Sequence, residues 1–274
     1  MMNSTISNPD QEVKLYYSSK MEDIKREKIA FVIDMYEEIK NEDFLSVSGD
    51  KKESRFEVIM SEIENFVKVK DYFSVKTEFA LYTYTRGLKQ EIKFSLINAF
   101  LEKFNEFKFH CGKSNLSNGN EQLDLAEIYN EAYSYLKPFL SIESFSNSKN
   151  YENDCIIRFI LFYNRSDIPA IVSNSSEYNV INFIRMTKFI FDVVFLRRKI
   201  ANEEDKKILK TTFNSFCGNK PKYWYAFENS GNILKFKHYM NLLLANPNQR
   251  VKLSNLDKYQ KKVDELIKNF SPDN

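Results

Sequence analysis

The chain has 274 residues, of which 43% are hydrophobic and 15% aromatic; that excludes a disordered polypeptide and supplies enough apolar surface for one domain with a real core. Six glycines and six prolines exclude collagen-like and linker classes. Forty basic against 38 acidic residues, a formal charge of +2, leave no global field to draw the chain to nucleic acid or to an anionic membrane.

Residues 1–25 read as a flexible polar lead. Lys28-Ile-Ala-Phe-Val-Ile33 is a continuous apolar run closed by Asp34, the pattern of a strand buried on both faces. Residues 41–54 are polar, with Gly49 and Asp50 as turn formers. Phe56, Ile59, Met60, Ile63, Phe66 and Val67 repeat at helical spacing. Glu78 to Thr85 is rich in β-branched and aromatic residues and predicts a strand. Ile92, Leu96, Phe100, Leu101, Phe104 and Phe107 predict a helix over 88–107.

Residues 112–120 are a Gly/Ser/Asn loop, and Leu125, Ile128, Tyr129, Ala132 and Leu136 mark a helix that ends near Pro138. Cys155 to Tyr163 and Phe189 to Leu196 are two further strongly apolar strands, with a short helix predicted over 178–187. A helix over 203–216 opens on Glu203, Glu204 and Asp205, where the macrodipole favours acids. A short strand over Tyr223 to Phe227 precedes a helix built on Ile233, Phe236, Met240, Leu243 and Leu244 that must stop before Pro247. Leu256, Tyr259, Val263, Leu266 and Ile267 give the tail, 251–274, one amphipathic helix. Strands alternating with helices predict an α/β fold: a Rossmann-type, mainly parallel sheet flanked by helices on both faces. Ligands of such sheets bind at the carboxyl ends of strands, which singles out 34–38, 83–87 and 163–167.

Little catalytic chemistry is visible. Cys111-Gly-Lys-Ser114 lacks the leading glycine and the preceding strand of a phosphate loop. His110 and His238 have no zinc-ligand spacing with the cysteines. Cys111 or Cys155 as a nucleophile is the weakest of the readings, and an unactivated thiol the simpler one. Asp192, inside an apolar strand, is read as a hydrogen-bonded structural carboxylate at a sheet edge or helix cap rather than a catalytic one. Cys111, Cys155 and Cys217 are too few and scattered for a disulfide framework, so a reducing compartment is expected. No run reaches the roughly 18–20 apolar residues of a membrane helix, and Met1 to Lys20 has no signal-peptide core.

Asp34 at the end of the first strand opens a segment, Asp34-Met-Tyr36-Glu-Glu38, that stands where von Willebrand A domains carry the metal loop Asp-x-Ser-x-Ser. Both serines are gone, Asn164 falls at the distal aspartate, and Glu38 is left as an oxygen donor, so the loop reads as degenerate and no cofactor is expected. Several segments in order resemble one family, the von Willebrand A-like scaffold subunit of the BRISC and BRCA-A deubiquitinase complexes. They are Glu27 to Glu38, Glu78 to Leu81, Arg158 to Tyr163, Phe191 to Phe195 with Asn202 to Glu204, and Leu243 to Arg250. The resemblance spans residues 26–250 and implies a von Willebrand A-like domain without catalysis of its own. It further implies docking on an E2-like-domain scaffold subunit that holds a zinc-metalloprotease deubiquitinase, with lysine-63-linked ubiquitin as the indirect substrate. The implied setting is nucleus and cytoplasm, in double-strand-break repair, signalling and mitosis. Leu244, Pro247, Gln249 and Arg250 are the interface candidates, a rigid exit from a helix with a bidentate donor. The competing reading is a metal-dependent von Willebrand A ligand binder centred on Asp34.

Overall fold

The computed structural model describes residues 26–46, 49–73, 76–111, 122–137, 155–172, 189–199, 202–217 and 224–245. In the main sheet β1 (Arg26–Asp34), β4 (Glu78–Tyr84), β6 (Cys155–Tyr163), β7 (Phe189–Leu196) and β8 (Ala226–Asn229) run parallel, and β5 (Leu88–Ser95) is antiparallel. A two-stranded hairpin of β2 (Phe44–Leu45) and β3 (Lys52–Glu53) stands beside it. The helices are α1 (Arg55–Phe73), α2 (Ile97–Cys111), α3 (Leu125–Leu136), α4 (Glu203–Cys217) and α5 (Ile233–Leu244).

The spatial order is β5-β4-β1-β6-β7-β8. Counted within the main sheet alone this is the doubly wound order, which reverses direction between β1 and β6. With its antiparallel edge strand the sheet is the von Willebrand A-like, Rossmann-type arrangement expected from the sequence. Each central strand is apolar on both faces because each face is covered. Ile29, Phe31 and Ile33 of β1 pack with Phe66 of α1, Phe100 of α2 and Phe236 of α5; Ala30 and Val32 pack with Ile128 of α3. Leu209 and Phe216 of α4 complete the second layer.

Local signals place the helix starts. At α1, Ser54 and Glu57 cap each other: the Ser54 N–H donates to Glu57 Oε2 at 2.8 Å and the Glu57 N–H to Ser54 Oγ at 3.2 Å. Asp124 caps α3 through the Ala126 N–H, and Asn232 caps α5 through the Lys235 N–H, both at 2.9 Å.

Three expectations are corrected. Residues 88–95 are a full edge strand, not the first turns of a helix; α2 begins only at Ile97. The apolar period suits both forms here, and hairpin pairing of Tyr84 with Leu88 and Tyr82 with Gln90 decides between them. The last strand starts at Ala226 rather than Tyr223. Asp192 lies neither at a sheet edge nor at a helix cap: β7 is flanked by β6 and β8, and Asp192 pairs with Arg158 on the neighbouring strand at 2.8 Å, both side chains fully buried. The helices predicted at 178–187 and 256–268, and the 1–25 and 251–274 segments, lie outside the described residues.

Candidate functional site

The reversal between β1 and β6 brings the carboxyl ends of both strands to one place, the usual ligand position of the architecture. Asp34 ends β1 with its side chain fully buried. An ionised carboxylate there requires a counter-charge, because an isolated buried ion is prohibitively desolvated. Arg165, just past β6, supplies it: Nε stands 3.1 Å from both carboxylate oxygens and Nη2 2.8 Å from Oδ1. The Asn164 N–H donates to Oδ2 at 3.2 Å, and Asn164 Nδ2 donates to the Asp34 backbone carbonyl at 2.9 Å. The guanidinium lies 5.0 Å from the centre of the Tyr36 ring and 5.7 Å from that of Tyr84. Burial lifts both hydroxyls to about 12, so the rings stay neutral beside the cation. Burial also pushes the Asp34 carboxyl above its ordinary range, against the opposing pull of Arg165.

A second ion pair interlocks with the first. Arg55, fully buried, donates from Nη1 to Glu38 Oε2 at 2.9 Å and to the backbone carbonyls of Asn164 and Leu196 at 3.2 and 3.0 Å. Its Nη2 reaches Asp43 Oδ2 at 2.7 Å. Glu38 sits in a 3-10 turn, Glu37–Lys40, and takes hydrogen bonds from Ser166 Oγ at 2.5 Å and the Ser166 N–H at 3.3 Å. The Arg198 N–H donates to the same Ser166 oxygen at 2.9 Å. One guanidinium therefore ties the ends of β6 and β7 to the loop after β1.

All four metal-loop positions named from the sequence, Asp34, Tyr36, Glu38 and Asn164, meet here. The two carboxylates are engaged differently from a metal site, while the Asn164 side-chain oxygen is buried with no hydrogen bond from a described residue. A hard divalent cation needs six or more converging oxygens. Here guanidinium groups stand against both carboxylates, and the position equivalent to the distal aspartate is an amide that binds Asp34. Among the described residues no group of three or more His, Cys, Asp or Glu is arranged to hold a metal ion. Arg165 and Arg55 were not singled out in the sequence. One signal existed for Arg55, a cation in the first turn of a helix, where the macrodipole disfavours it.

Cys155 is buried, and desolvation raises its thiol to about 11, the reverse of an activated nucleophile. Of the interface candidates, Leu244 ends α5 and its carbonyl accepts from Lys70 Nζ at 3.0 Å; Pro247, Gln249 and Arg250 lie outside the described residues. No helix among the described residues is long and apolar enough to cross a membrane.

No protein-family model and no curated protein matches the sequence. Solved structures similar in backbone include the SpRpn10 VWA domain, with 11% identity, a TM-score of 0.49, and coverage of 83% of this chain and 99% of that one. The TFIIH p34 N-terminal domain is similar at 11% identity and a TM-score of 0.47, covering 79% of this chain and 96% of that one. At these identities and scores no activity or partner passes from those proteins to this chain.

Proposed function

We propose that this chain is a non-catalytic interaction module, a von Willebrand A-type domain in which internal ion pairs stand where the fold's metal loop would bind an ion. The observation that carries this reading is the pairing of buried Asp34 with buried Arg165 across the switch point. A domain that fills its own ion site is built for a constitutive rather than a metal-gated contact. The finer reading is a scaffold subunit of a lysine-63-specific deubiquitinase complex of the BRISC or BRCA-A type. The ordered resemblance over residues 26–250 supports it. In that complex an E2-like-domain scaffold subunit and a zinc-metalloprotease subunit are its partners, the zinc belongs to the protease, and the setting is cytoplasm and nucleus.

Two experiments test the two levels separately. Affinity capture of the tagged full chain from its own cells, at moderate salt, is expected to retain a metalloprotease subunit and its E2-like scaffold in comparable amounts. Their absence from a folded bait removes the complex. Thermal melts with Mg²⁺ up to 10 mM are expected to show no shift. An ion bound at a hundredth of that concentration would add about 2.7 kcal/mol, or roughly 5–10 °C. A shift of that size, abolished in Asp34→Ala, replaces the module with a metal-dependent ligand binder.

A further inference from the structure

We propose that the C-terminal segment packs on this chain's own domain: the stripe Leu256, Tyr259, Val263, Leu266 and Ile267 covers the apolar end of α1, formed by Val69, Tyr72 and Phe73. The inference rests on the fold and on the sequence of the tail, and does not depend on the complex proposed above.

The outward face of α1 changes character along its length. Through residue 68 its exposed side chains are Glu57, Ser61, Asn65 and Lys68, as on any helix that meets water. In the last turn they are apolar: Val69 is 37% exposed, Tyr72 90% and Phe73 66%. Exposed apolar residues scattered singly need no explanation. These three stand at i, i+3 and i+4, so they form one continuous patch. Two aromatic rings left in water forgo the burial of roughly 300–500 Å².

The tail is the occupant because of where it leaves the domain. α5 lies in the same layer as α1, with Phe66 and Phe236 in one core cluster. The ammonium of Lys70, next to Val69, donates to the carbonyl of Leu244, the last residue of α5, at 3.0 Å. The chain therefore leaves α5 beside the last turn of α1. Residues 245–255 separate that point from Leu256. As a random coil they span about 17–20 Å, enough to round the end of α1. Such a tether holds the stripe near the patch at about millimolar effective concentration. The lead enters elsewhere: Arg26 begins β1, inside the sheet rather than in the helix layer. A second copy is disfavoured by area, since a stable dimer buries about 800 Å² on each partner. α1 begins at the switch point with Arg55 and ends at this patch, so a tail packed here leaves the strand ends open.

The test is hydroxyl-radical footprinting of the full chain, at low and at high micromolar concentration, read by mass spectrometry at Tyr72. Covered, Tyr72 is expected to oxidise about fivefold more slowly than N-acetyl-tyrosine amide in the same solution. The full chain carrying Val263→Asp and Leu266→Asp, which puts charge into the stripe and leaves the core unaltered, is expected to return Tyr72 to the rate of the free amide. Tyr129, buried on the opposite face of the sheet, stays protected in both chains and reports that the domain is folded. The proposal is overturned if Tyr72 of the unaltered chain oxidises as fast as the free amide. It is equally overturned by protection that survives both substitutions, which assigns the cover to the lead, or by protection lost on dilution, which assigns it to a second copy. Because the first and last comparisons use the unaltered chain, they stand even where the variant fails to fold.

Discussion

Arg165→Ala removes the counter-charge of a fully buried carboxylate and leaves the rest of the switch point in place. Asp34 then loses the contacts from Nε at 3.1 Å and from Nη2 at 2.8 Å, and keeps the Asn164 N–H at 3.2 Å. Breaking one side of a buried pair costs about 3–5 kcal/mol. At about 2–4 °C per kcal/mol for a domain of this size, the melting temperature should fall by roughly 6–20 °C. The loss should depend on pH in a defined direction. Burial already holds Asp34 above its unfolded value, and removing Arg165 raises it further. The folded variant then binds more protons than the unfolded one, so its stability deficit against wild type narrows as pH falls from 7 towards the unfolded carboxyl value of about 4. Asp34→Ala should behave differently: it strands a guanidinium that cannot shed its proton and removes the group whose raised folded value favours wild type on acidification, so its deficit should widen rather than narrow over the same window. Urea unfolding of both variants and wild type at pH 7, 6, 5 and 4.5 reads both effects. A deficit under 1 kcal/mol at pH 7, or parallel pH profiles for the two variants, would refute the claim that a charged pair holds this site.

Three further outcomes follow from the same structure. Gly231 has φ +85°, and a Cβ there would lie 2.3 Å from the Asp43 carbonyl oxygen, whereas one on Gly49 (φ +79°) meets nothing within 4 Å. Gly231→Ala should therefore destabilise by more than about 2 kcal/mol and Gly49→Ala by about 1 kcal/mol, with equal losses in urea melts counting against the close approach. Arg158→Met should cost about 3–5 kcal/mol by isolating Asp192, and adding Asp192→Asn should restore most of it, since the amide still accepts the Tyr225 N–H; a strictly additive double variant contradicts this. Burial raises the Glu62 carboxyl against the weaker pull of Lys237, so its ionised form is a liability in the folded state that protonation relieves. Glu62→Gln should raise the melting temperature above pH 7, with the gain fading as pH falls through the raised folded value, and a gain that grows on acidification reverses the assignment.

The apolar runs ending at Asp34, Tyr163 and Leu196 were legible as buried strands because covering both faces of a parallel sheet makes nearly every position apolar, the paired Arg158 and Asp192 aside, and the helical stripes of α1, α3 and α5 were legible from their period. With strands and helices alternating, that much determined the α/β class and put Asp34, at a strand's end, in the ligand region. The edge strand Leu88–Ser95 was not legible, since its apolar spacing fits a helix equally and only the hairpin with β4 chooses. Nor were the partners of the site. Asp34 finds Arg165 across 131 positions, and Glu38 finds Arg55 across 17, with no local pattern linking either pair. Composition and periodicity report what each segment must bury. Which buried charge answers which depends on the crossover that sets β1 beside β6, and that is a property of the tertiary structure alone.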